Sequence, residues 1–69
     1  MVTIFGKDIC PYTQAAVEDH RRRGVAFEYI NVKKDAAALA RMLALTGGKR
    51  RVPVIVAEDG GVTIGFGGT

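Results

Sequence analysis

Two apolar, β-branched runs joined by a segment of helical composition most constrain what this chain can fold into. Val2-Thr3-Ile4-Phe5 is a strand-forming run ended by Gly6, and its unbroken apolar character suits a strand covered on both faces. From Pro11 the composition changes. Proline at a first helical position leads into TQAAVEDHRRR, with cations in the last turn and Gly24 closing it. Val25 to Val32 returns to strand composition. Two strands joined through a helix predict a parallel pair with a right-handed crossover.

Beyond this unit, Asp35 is placed to cap a second helix, AAALARMLALT, which ends at Gly47-Gly48. Val52-Pro53-Val54-Ile55-Val56 and Gly61-Val62-Thr63-Ile64 flank Glu58-Asp59-Gly60, and Asp-Gly between apolar runs is a hairpin signal. The order β-α-β-α-β-β predicts an α/β fold with a mixed four-stranded sheet and helices packed on it. Phe27, Tyr29, Leu39, Met42 and Leu43 have the periodicities of core residues. No internal repeat or linker divides residues 1–69, so a single domain is expected.

Composition narrows the function classes. Cys10 is the one cysteine, which excludes an intrachain disulfide and an all-cysteine metal cage within one chain. A domain of 69 residues buries only about 60% of its unfolded surface and has no covalent staple to help it. The opening apolar run is broken at Gly6-Lys7-Asp8, too early for a signal-peptide core or a membrane helix, so a cytoplasmic location without membrane partners is expected. The net charge of +3 falls in Arg21-Arg22-Arg23, Lys33-Lys34 and Lys49-Arg50-Arg51. No helix-turn-helix pattern, zinc spacing or interleaved aromatics accompanies these clusters, which argues against nucleic acid as a partner. Gly47-Gly48-Lys49 follows a helix and lacks the other P-loop residues, so no nucleotide is expected.

Cys10 is the candidate nucleophile. It lies where the first strand gives way to a Pro-initiated helix, at the carboxyl edge of a parallel sheet, where open α/β folds place their sites. Unpaired backbone N–H groups and the positive end of the helix dipole stabilise a thiolate there. Lys7 adds positive charge and Thr13 can aim its hydroxyl at the sulfur, so the thiol pKa is expected at about 3.5 to 7.5. Thr13, Ala16, Val17 and His20 share the inner face of this helix at about 100° per residue. His20 is about 15 Å along the axis from Cys10, too far to be its base, and is expected as a boundary residue.

Lys7-x-x-Cys10-Pro11-Tyr12-Thr13 resembles the active-site segment of glutaredoxins, usually Cys-Pro-Tyr-Cys. Arg51-Val52-Pro53 is similar to the family's Thr-Val-Pro segment, and Gly65-Phe66 to the Gly-aromatic pair after its hairpin. The motifs occur in family order over essentially the whole chain. The resemblance implies a thioredoxin-like fold, a cis bond before Pro53, and an extended thiol peptide paired strand-fashion with the Val52 main chain. It also implies glutathione as cosubstrate and no resident metal, with Lys7 and Arg51 holding the carboxylates and Tyr12 walling the groove. Glutathionylated or disulfide-bearing proteins would be the partners.

Three departures from the family pattern shape the expectation. Thr13 replaces the second cysteine, which leaves a monothiol cycle. Gly67-Gly68 stand where glutaredoxins carry acidic residues that hold the α-amino group of glutathione. The helix that usually follows the last strand has no counterpart up to Thr69, so one apolar face is expected to self-associate or take a partner. Gly-Phe-Gly-Gly-Thr also resembles a short glutaredoxin-like branch whose relatives can carry selenocysteine at the nucleophile position. Monothiol relatives that bridge an iron–sulfur cluster between two chains supply one alternative function, and a noncatalytic interaction module another.

Overall fold

Val2–Gly6 (β1) and Phe27–Asn31 (β2) pair in parallel, with Val2 opposite Phe27, Ile4 opposite Tyr29 and Gly6 opposite Asn31, in a computed structural model that describes residues 1–67. Val54–Val56 (β3) runs antiparallel to β1, and Val62–Ile64 (β4) antiparallel to β3. The sheet order is β2-β1-β3-β4. Two helices complete the fold: Pro11–Arg22 (α1) and Ala36–Thr46 (α2). This is the mixed four-stranded α/β arrangement expected from the order of elements.

The second strand is shorter than the Val25–Val32 run. Val2 is the first residue of β1 and already pairs with Phe27, so Val25 and Ala26 precede the ladder, and Ala26 contributes only its carbonyl, which accepts from the Val2 N–H at 3.2 Å. Val25 instead donates its N–H to the His20 carbonyl at 3.0 Å, closing the end of α1. The third strand likewise starts at Val54, opposite Phe5, because Pro53 has no N–H for the ladder.

Alternation along β1 sends Phe5 to the α2 side, where it meets Val32, Ala38, Met42 and Val54 in the main core. Arg41 lies over the Phe5 ring, 5.3 Å from its centroid, and closes that core toward solvent. Val2, Ile4 and Gly6 point to the other face, toward α1. There Thr13, Ala16 and His20 are buried as the helical spacing requires, and Val17 sits at the margin. His20 is not at a boundary: it is only 6% exposed, its Nδ1 lies 2.8 Å from the Ala16 carbonyl, and its ring meets Phe27 edge to face. A carbonyl can only accept, so Nδ1 carries the proton. The short polar link to its own helix lets the imidazole take a place that periodicity reserves for apolar groups.

Both helices start and stop where their sequences indicate. Pro11 opens α1 with Cys10 in extended conformation before it. The Asp35 carboxylate accepts from the Ala38 N–H at 3.0 Å to cap α2, and Gly47 ends it in the left-handed region at φ 69°. Among the described residues no helix is long and apolar enough to cross a membrane.

Candidate active site

Cys10 occupies the position just before α1, half-buried, at the end of a turn in which its N–H donates to the Lys7 carbonyl at 3.2 Å. Its sulfur closes no formal capping hydrogen bond, yet it lies close enough to the helix N-terminus to feel it. Burial pushes the thiol pKa up. The Thr13 hydroxyl, the N–H groups of Thr13 and Tyr12 and the charge of Lys7 together outweigh that, and the net pKa is below the ordinary thiol value.

Thr13 is 1% exposed, and its burial is tied to Gly6. A Cβ at Gly6 would run into Cγ2 and Oγ1 of Thr13, so the close approach of helix to strand needs glycine at that point. The same hydroxyl accepts from the Lys7 N–H at 3.4 Å. Thr13 thus joins the strand end, the turn and the sulfur.

Pro53 is fully buried just before β3, and its peptide bond with Val52 is cis. The Gly65 N–H donates to the Pro53 carbonyl at 2.8 Å. From Gly65 the chain passes through half-buried Phe66 to Gly67, where a Cβ would sit 4.0 Å from Cδ1 of Tyr12. The segments carrying Cys10-Pro11-Tyr12-Thr13, Val52-Pro53 and Gly65-Phe66 therefore meet at one end of the sheet. Gly68 lies outside the described residues.

Two open clefts flank the site, and Lys7 lines both. One, of about 380 Å³, has Lys7, Lys33 and Arg50 around an apolar wall of Val32, Leu39, Met42 and Val52. The basic residue of the third cluster on this cleft is Arg50; Arg51 is exposed and does not line it. The other cleft, of about 270 Å³, contains Asp8, Thr13, Gln14 and Tyr29. Asp8 and Tyr29 are members of the site that sequence reasoning missed. Tyr29 reads there as a core aromatic, but its hydroxyl donates to Asp8 Oδ1 at 2.6 Å. No local signal announces a bond between residues 21 positions apart.

A β2-β1-β3-β4 sheet with a cysteine of lowered pKa just before the first helix and a buried cis proline just before β3 is a thioredoxin-like fold. The family model described as Glutaredoxin matches residues 2–62. The chain belongs to the glutaredoxin family of thiol oxidoreductases. It is similar to the crystal structure of the thioredoxin-like protein BC3987, at 33% identity and a TM-score of 0.85 over 97% of this chain and 89% of that one. It is also similar to a glutaredoxin from Archaeoglobus fulgidus, at 27% identity and a TM-score of 0.83 over 96% and 75% of the two chains. A third likeness is to NrdH-redoxin, a glutaredoxin-like protein from Escherichia coli, at 33% identity and a TM-score of 0.79 over 96% and 83%. Among curated proteins nothing matches.

Proposed function

We propose that the protein is a monothiol oxidoreductase that takes glutathione from mixed disulfides. The observation that carries this reading is the chain's one thiol, half-exposed at the start of α1 with its pKa lowered, with a buried threonine where the second family cysteine would stand. The Cys10 thiolate attacks the glutathionyl sulfur of a protein–glutathione disulfide. The bond between the two sulfurs breaks, and the protein leaves as thiolate and takes up a proton. Cys10 now carries the glutathione. The thiolate of a second glutathione attacks that glutathionyl sulfur, giving oxidised glutathione and restoring the Cys10 thiolate. One thiol is enough for both halves.

The cleft beside Val52 supports an anionic ligand, since Lys7, Lys33 and Arg50 bring three cations to an apolar wall. Ile9, 73% exposed, and Tyr12, 41% exposed, flank Cys10 and offer apolar surface to a partner protein. A second reading, thioredoxin-like use of the thiol, is favoured by the likeness to NrdH-redoxin, which is described as having a thioredoxin-like activity profile. Gly67 also has no acidic side chain for the glutathione amine.

Treatment with oxidised glutathione, followed by intact mass measurement, is expected to show one glutathione on the protein and none on Cys10→Ser. Reduction of a glutathionylated peptide by glutathione should be lost in the same variant. An inert thiol would overturn the reading, and turnover supported by thioredoxin reductase in place of glutathione would favour the second one.

A further inference from the structure

We propose that Tyr29 is a positioning residue for the Cys10 thiolate: its hydroxyl holds the Asp8 carboxylate on the β2 side of the turn, away from the sulfur. This rests on Cys10 being the reactive thiol. Lys7 to Cys10 form a four-residue turn closed by the Cys10 N–H on the Lys7 carbonyl, so Asp8 lies two residues from the sulfur-bearing residue in a tight bend. A carboxylate free to swing there would disfavour a thiolate by like-charge repulsion.

The structure engages Asp8 from three elements. Tyr29 of β2 donates to Oδ1 at 2.6 Å, Lys34 after β2 places Nζ 4.0 Å from Oδ2, and Gln14 of α1 donates to the main-chain carbonyl at 2.6 Å. Only the first is a short, charge-assisted bond to the carboxylate itself. Gln14 holds backbone, and the Lys34 pair is exposed at the limit of an ion pair, where such contacts contribute little. Tyr29 reaches Asp8 because its register opposite Ile4 sends it to the α1 face. The other charged groups lining this cleft are Lys7, Glu18 and Arg21. Burial, the bond to Asp8, and the charges of Asp8 and Cys10 all raise the pKa of the phenol, which keeps it a donor across the working pH range. Tyr29, Asp8 and Cys10 thus share one electrostatic field.

The test is the rate of Cys10 alkylation by iodoacetamide against pH, which needs no glutathione and so reads this proposal even if glutathione turnover fails. Tyr29→Phe is expected to raise the apparent thiol pKa by about half a unit, about a threefold loss of thiolate well below the pKa. Asp8→Asn alone should leave the profile near that of the native protein. The Tyr29→Phe, Asp8→Asn double variant should return to it, because no charge remains to be held. An unshifted profile in Tyr29→Phe, or the same shift persisting in the double variant, overturns the proposal. If circular dichroism shows Tyr29→Phe unfolded, Asp8→Glu replaces it: the longer stem takes the carboxylate out of register with the phenol. A raised pKa is then expected, and an unchanged one overturns the proposal.

Discussion

At Cys10 two effects oppose each other, and the outcome decides the chemistry. Partial burial favours the neutral thiol, while the Thr13 hydroxyl, two helix N–H groups and Lys7 favour the anion, and the anion wins. Thr13 therefore does more than vacate the place of a second cysteine: it is the largest of the stabilising influences on the sulfur. Thr13→Val keeps the volume in the tight space against Gly6 and removes only the hydroxyl. The thiol pKa should rise toward its ordinary value. Because the folded-state pKa is depressed, alkylation of the native protein falls as pH drops through that pKa, and in Thr13→Val the same fall should set in at higher pH. A stopped alkylation series between pH 5 and about 9 reads the displacement directly. The linkage to stability has the same sign: the thiolate's contribution is present above the unfolded-state thiol pKa and disappears as pH falls through the folded one.

Each helix is held at its ends by chemistry that can be tested separately from the site. The Asp35 cap on α2 is a single carboxylate-to-N–H bond, and Asp35→Ala should cost about 1 kcal/mol. In a domain of this size that corresponds to about 4–8 °C in Tm, measurable by thermal denaturation, with the reactivity of Cys10 unchanged. Three arginines at the end of α1 suit its dipole, and two of them converge on one carboxylate. Asp19 accepts from Arg23 Nε at 2.9 Å and lies 3.5 Å from Arg22 Nη2. The bond from Arg23 lowers the Asp19 pKa, and Glu18 pairs with Arg21 on the neighbouring surface. The triple-arginine run is solvated charge that finishes a helix, as its position predicts.

The molecule as a whole depends on a small core with no covalent support. Phe5 and Met42 are nearly inaccessible, and they connect β1 to α2 through a cluster that Val54 extends to the hairpin. Met42→Ala removes most of a side chain from the centre of that cluster and should cost about 2–5 kcal/mol. Small domains hold only about 5–15 kcal/mol in total, so a large drop in the urea midpoint is expected. Met42 shares a cleft wall with Lys7, but Thr13, the largest stabilising influence on the thiolate, packs on the other face of the sheet against Gly6, so the protein that remains folded should keep a thiol pKa near the native one. The turn at Cys10 is supported from the other face of the sheet, where Thr13 packs closely against Gly6 under α1.

The chain's local chemistry determined much of this by itself. Pro11 after Cys10, Asp35 before an alanine-rich run, Gly47 after it and Asp59-Gly60 between apolar strands each act over a few residues, and each ended or began an element where the pattern indicated. Cys10 at a strand-to-helix junction was legible for the same reason, as was its activation by Thr13 and Lys7. The tertiary structure decided the loss of Val25 and Ala26 from β2, the burial of His20, the presence of Arg50 rather than Arg51 on the cleft, and the bond from Tyr29 to Asp8. The first and last of these follow from the pairing register of β1 with β2, and the third from the course of the chain into Pro53. A one-residue slip would send every side chain of a strand to the opposite face, and no short stretch of sequence records which register the packed molecule selects.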